Sequence, residues 1–278
     1  MIAISTEGRV FIAQLTREIV ARERKGAAML SPGMTTWCDA FKNIIMGAHK
    51  LGSPTKAAKH FNAAQHCLIA AQKDSLCTLN SFSKRSRSAH FEVFVSEIGK
   101  HPVTQSGNEG IIVRRYSCML WRRGFIYEMR YGDNLAFISW HALGRMRERC
   151  DVDIFSAGGI VALCGVAGLL MRDSFKHHGT AINLAFKDLI CAGTLRYVLS
   201  DEPGRWHGFF DVLTALEPNI LNNKRAAQMK QGTRLTNAVL DYINSDNSRI
   251  AGWAEKIPVL PFDESDYVSR ELGERERR

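Results

Sequence analysis

No two of the seven cysteines (Cys38, Cys67, Cys77, Cys118, Cys150, Cys164 and Cys191) form a CxxC pair, and their number is odd. This excludes a zinc ribbon and argues against a disulfide framework, and it fits reduced thiols in a cytoplasmic protein. The chain also has no GxxxxGK[ST] phosphate loop, no HExxH and no GxSxG. P-loop hydrolysis, zincin chemistry and a hydrolase nucleophile elbow are therefore excluded. The glycines at Gly158, Gly159, Gly165 and Gly168 do not follow the strand, turn, helix order of a dinucleotide site. Neither a metal nor a cofactor is expected. The opening residues MIAISTEGRV lack a basic stretch followed by an apolar one, and Glu7, Glu18 and Glu23 are foreign to a presequence, so a cytoplasmic location is expected.

What the chain does have is an excess of positive charge. Its 37 Lys and Arg against 28 Asp and Glu leave a net charge of +9, which calls for an anionic partner. Nucleic acid is the first expectation, with RNA ahead of DNA. A protein inhibitor or a second copy of the chain could also bind, and a membrane partner is not expected. One stretch tests that last expectation: residues 154–171 carry no charge at all. Their glycines and alanines make them only moderately apolar, and eighteen residues is the short limit for a span. They are read as a buried core helix, with a membrane-associated interaction protein as the reading that would follow if they inserted.

Along the chain, Phe11, Leu15 and Ile19 recur every four residues and predict a helix over 9–25, and a second helix is expected over 37–50. A polar, basic joint at 79–87 marks a boundary. Beyond it the apolar period becomes two, through AHFEVFVSEI, GIIVRRYSCMLWRR, FIYEMRY and LAFIS, separated by turn-forming residues. Helices are expected over 140–150, 154–171 and about 180–191, strands over 195–199 and 208–214, and a last helix over about 224–244. The expected class is α+β, an N-terminal helical region followed by an antiparallel sheet packed with helices. The expected division is 1–80, 88–220, and 221–278 with a disordered tail.

The chemistry concentrates at FISWHALGRMRERC, residues 137–150. At 100° per residue, His141, Arg145 and Arg149 lie on one side of a helix with Glu148 beside them, and Ala142, Leu143, Met146 and Cys150 form an apolar flank. Ser139 is placed to cap it. An imidazole near the positive end of a helix favours its neutral, proton-accepting form, and two guanidinium groups a turn apart can hold a phosphate. The same spacing also describes an ordinary solvated basic face.

Two resemblances sharpen this. Residues 53–73, SPTKAAKHFNAAQHCLIAAQK, resemble a bacterial helix-turn-helix, with Ala57, Ala58, Phe61, Ala63, Leu68 and Ala71 in the inward positions and Asn62 where that pattern prefers glycine. The resemblance implies DNA contact from Lys56, Lys59, Gln65 and His66, in a non-catalytic regulator. The second lies in Ser139-x-His141-Ala142-Leu143-x-Arg145-Met146-x-x-Arg149, which is similar to the signature of a small bacterial family found in or beside toxin modules. That family resembles the RelE-like and barnase-like ribonucleases, and the likeness covers about residues 125–220. It implies metal-independent RNA cleavage with His141 as base or acid and Arg145 and Arg149 on the phosphate. Beside it, the loop SDEPGRWH offers Arg205 and Trp206 as RNA contacts and His207 as a second proton carrier. The sequence leaves open whether the protein is an enzyme.

Overall fold

In this computed structural model, residues 4–72, 78–85, 88–104, 109–121, 126–171, 179–186, 189–199, 206–217 and 223–244 are described. Helix α1 (Thr6–Leu30) starts at Ser5, whose hydroxyl accepts the Gly8 N–H at 3.0 Å. Its four-residue repeat buries Phe11, Leu15 and Ile19, as the periodicity predicts. Helix α2 (Trp37–Lys50) is capped by Thr36, which accepts the Asp39 N–H at 3.2 Å and donates its hydroxyl to the Asp39 carboxylate at 2.7 Å. Three residues, Leu51 to Ser53, then turn the chain into α3 (Pro54–Gln72), with Gly52 at φ +62°, a left-handed conformation that favours glycine.

Among the described residues that follow, seven strands build one mixed sheet. Its strands are β1 (Thr78–Arg85), β2 (Ser88–Lys100), β3 (Glu109–Trp121), β4 (Ile126–Ser139), β5 (Ala181–Ala185), β6 (Ile190–Leu199) and β7 (Trp206–Leu216), in the spatial order β1-β2-β3-β4-β7-β6-β5. Between β4 and β5 run helices α4 (Trp140–Cys150) and α5 (Ile154–Met171), and α6 (Asn223–Asn244) follows β7. The class is α+β, as expected. The sheet itself is not purely antiparallel: β4 and β7 run parallel through Ala136/Phe210, Phe137/Asp211 and Ile138/Val212. Strands β1 to β4 form one antiparallel block and β5 to β7 another. The crossover through α4 and α5 brings the second block back beside the first, and the two meet at that parallel seam.

The largest core lies where α5 covers the seam. Ile111, Val113, Ala136, Ile138, Phe210 and Val212 of the sheet pack with Ala157, Val161, Cys164 and Ala167 of α5. The glycines of α5 explain its closeness: a Cβ on Gly165 would sit 2.3 Å from a Val113 methyl, and one on Gly168 only 1.7 Å from the Leu135 carbonyl oxygen. The uncharged stretch is therefore a sheet-packing helix, as the sequence reading holds, and among the described residues no helix is long and apolar enough to cross a membrane. Cys118, Cys164 and Cys191 are buried free thiols, and burial pushes the Cys118 thiol up to about 12.

Several expectations need correction: the polar joint expected at 79–87 is largely the edge strand β1, and the turn formers Gly132, Asp133 and Asn134 lie within the continuous strand β4. Where a helix is expected over about 180–191, residues 181–185 are β5 and 190–191 begin β6. Ile182 and Leu184 turn inward while Ala181 faces solvent, a period of two that the short apolar run conceals. The division at 80–88 and 220 does not separate cores either. Phe11, Leu15 and Ile19 of α1 and Leu235, Ala238 and Val239 of α6 belong to the same core as the sheet. The expected disordered tail lies outside the described residues.

Candidate functional site

Helix α4 begins as the sequence predicts. Ser139 ends β4 in an extended conformation, and its hydroxyl accepts the Ala142 N–H at 3.1 Å. Ala142, Leu143, Gly144 and Met146 are buried, and His141, Arg145, Glu148 and Arg149 share the half-buried opposite side. His141 is held below its ordinary range first by burial, then by the Arg145 and Arg149 charges, with Glu148 pulling the other way. The sequence thus gives a neutral imidazole beside two guanidinium groups, and the structure places them together.

Their engagements differ from the expected phosphate clamp. Arg145 Nη1 donates to Glu148 Oε2 at 2.7 Å, with the two side chains only 13% and 12% exposed. Glu148 Oε1 in turn accepts the backbone N–H of Ser5 at 2.6 Å, and these bonds from Ser5, then the Arg145 charge, hold its carboxyl below the usual range. Arg147 reaches Glu7 at 3.0 Å and also bonds Asp151. Arg149 Nη1 donates to the Ala215 carbonyl at 3.3 Å, tying α4 to β7. The cations of this helix fasten it to α1 and to the sheet. Of the expected partners in the loop before β7, Arg205 lies outside the described residues. Trp206 and His207 open β7 opposite Leu199 and Val198, and their side chains lie outside those described. His207 stands eight residues before Ala215, about 26 Å along the strand.

The helix-turn-helix expectation also moves. Residues 54–72 form one uninterrupted helix, and Asn62 lies in its middle, exposed, rather than in a turn. Ala57, Ala58, Phe61 and Ala64 keep one buried face across that position, and the Phe61 ring stacks on Phe91 at 5.3 Å. The turn lies earlier, at Leu51 to Ser53, so the helix pair is α2 and α3. Opposite the buried face, Thr55, Lys56, Lys59, Asn62 and His66 are exposed and fall within an arc of about 120°. Among the described residues no ion pair engages Lys56 or Lys59, and the α3 sequence contains no Asp or Glu. Gln65 is on the same helix, with its side chain outside those described. The sequence reading cast Asn62 as a turn former; the unbroken spacing of 57, 58, 61 and 64 is the signal that assigns it to the outer face.

A third cluster has no sequence signature. His101, just after β2, is buried beside Asp211 of β7, 110 positions away. Its Nδ1 accepts the N–H groups of Val103 and Thr104, each at 3.2 Å, so Nε2 carries the proton and donates to Asp211 Oδ2 at 3.2 Å. Arg196 Nε donates to the same oxygen at 2.6 Å. The ring stands edge-on to Phe137, with centroids 4.7 Å apart. With both nitrogens engaged internally, His101 pins the turn after β2 and has no lone pair left for a substrate.

Compared with protein families, characterised proteins and solved structures, the chain matches none. Among the described residues no group of three or more His, Cys, Asp or Glu could hold a metal ion.

Proposed function

We propose that this protein binds nucleic acid and that its contact surface is the α2–α3 helix pair. The observation that carries this reading is the contrast between two basic helices. On α4, Arg145 and Arg147 are neutralised by carboxylates and Arg149 is bonded to a main-chain carbonyl. On α3, Lys56 and Lys59 stand exposed without a carboxylate partner among the described residues. Cations that are not compensated internally are the ones that displace counterions from a phosphate backbone.

The test is the salt dependence of binding, by fluorescence anisotropy on labelled mixed-sequence probes. Each lysine removed is expected to lower the slope of log affinity against log salt by about one, so Lys56→Ala with Lys59→Ala lowers it by about two. Arg145→Ala, already committed to Glu148, leaves it unchanged. A double lysine variant with the wild-type slope removes the reading.

A second reading keeps RNA cleavage at α4, favoured by the half-exposed His141 imidazole that burial and two arginines hold neutral. The stretch of family resemblance, about 125–220, also coincides with β4, α4, α5 and β5 to β7. Incubation with RNA and a chelator decides it: cleavage lost in His141→Ala supports the second reading, and intact RNA ends it.

A further inference from the structure

We infer that the nucleic acid taken by this surface is duplex DNA, with α3 lying in its major groove; the inference rests on the reading of the α2–α3 pair given above. The exposed row runs from Thr55 to His66, eleven steps and about 17 Å along the helix axis. That length matches about five base pairs at roughly 3.4 Å each. The B-form major groove, about 12 Å wide, admits one helix, whereas the corresponding groove of duplex RNA is too deep and narrow for side chains to read. Sequence-tolerant grip on a single strand works through aromatic platforms for the bases. Among the described residues the exposed row, Thr55, Lys56, Lys59, Asn62, Ala63 and His66, holds no Phe, Tyr or Trp, and the His66 ring is a single small platform rather than a series.

The mounting suits a reading helix. Ala57, Ala58 and Ala64 are small and buried, and Phe61 is fully buried against Phe91 of β2, so α3 is seated on the sheet along its inner face. The His60 ring at 3.1 Å from the Ile44 carbonyl oxygen fixes α3 to α2. The exposed His49 and Lys50 close α2 just before the Gly52 turn, where the chain enters α3. In the groove, Asn62 has the paired donor and acceptor that match an adenine edge, and Lys59 can donate to a guanine edge. Lys50 at the end of α2 and Lys56 in the first turn of α3 flank the turn between the helices, placed to meet backbone phosphates.

The experiment uses the full chain and four probes: a pool of 24-base-pair duplexes with a randomised centre, one mixed-sequence DNA duplex, the RNA duplex of that sequence, and its single strand. Selection from the pool is expected to enrich a short motif that contains adenine. Asn62→Ala, an exposed position whose variant keeps its circular dichroism, is expected to bind the enriched site about tenfold more weakly while binding the mixed duplex unchanged. The RNA duplex and the single strand are expected to bind at least tenfold more weakly than DNA. Equal or tighter binding to RNA or to the single strand, still dependent on Lys56 and Lys59, overturns this inference and leaves the nucleic-acid reading standing. An enriched site indifferent to Asn62→Ala overturns it as well. Failure to bind any probe at low salt overturns both.

Discussion

Glu148 joins the start of α1 to the helix that carries His141: one of its oxygens accepts the Ser5 N–H at 2.6 Å and the other holds Arg145 at 2.7 Å. The first described turn of the chain is thereby fixed to a residue 143 positions later. Replacing Glu148 with Gln is expected to cost about 1–3 kcal/mol at neutral pH, because it weakens both bonds and leaves Arg145 poorly compensated. The pH dependence gives the sign. The folded carboxyl titrates below its ordinary 4.5, so its stabilisation is fully present above that value and fades as the pH falls through the folded pKa. Urea unfolding of wild type and variant should therefore differ at pH 7 and converge toward pH 3; a constant gap would count against the role given to this carboxylate.

His141 offers a second titration. Its folded pKa lies below 6.5, with burial the leading cause and the arginines next. The ring resonances followed by NMR should show a midpoint below that of a free histidine. Arg149→Gln should raise the midpoint part of the way, since burial remains. The folded state takes up this proton less readily than the unfolded chain, so stability from this group is complete above pH 6.5 and declines as the pH falls below it. A wild-type midpoint at or above 6.5 would contradict this account.

The glycines of α5 give a matched pair. A methyl group on Gly168 would meet the Leu135 carbonyl oxygen at 1.7 Å, a backbone atom that cannot swing aside, whereas a Cβ on the exposed Gly159 meets nothing within 4 Å. Gly168→Ala is expected to cost about 3 kcal/mol or more by forcing α5 off the sheet. Gly159→Ala should stabilise by up to about 1 kcal/mol, through helix propensity alone. Thermal unfolding of the two variants should move in opposite directions.

Asp211 is 2% exposed and receives both His101 and Arg196. Asp211→Ala leaves a buried imidazole N–H without its acceptor and is expected to cost about 3 kcal/mol. Asp211→Asn keeps an oxygen for that proton and should cost clearly less. Equal losses in a urea series would mean that shape, rather than hydrogen bonding, governs the position.

How far the sequence reached follows from what each feature depends on. The cap at Ser139, the shared side of His141, Arg145 and Arg149, and the core helix at 154–171 are local patterns, and all three were legible. Strands β2 and β3 were legible too, because their alternation is long, whereas β1 was hidden by the polar, basic composition of 79–87 and β4 was read as two strands because Gly132, Asp133 and Asn134 suggest a turn. The helix expected at 180–191 failed because Ile182, Leu184, Leu189 and Ile190 satisfy either period over so short a run. What pairs Arg145 with Glu148 is a helical spacing open to inspection, but the Ser5 contact that makes Glu148 structural is not local. His101 and Asp211 likewise meet only once β7 is seated beside β4, a register that no nearby residues announce. Asn62 was visible, but its small neighbours suggested a turn where they make a seat.

The parallel seam has a consequence for how the molecule is made. Phe210 follows its partner Ala136 by 74 residues, whereas the antiparallel strands on either side are joined by much shorter connections. Each block can zip from its own turns early, while the seam must wait for a long loop to close and for α5 to arrive above it. Until then each half presents a bare strand edge, β4 on one and β7 on the other, open to the same half of a neighbouring chain. The rate at which those two edges find each other sets how long a newly made molecule is exposed to domain swapping and aggregation.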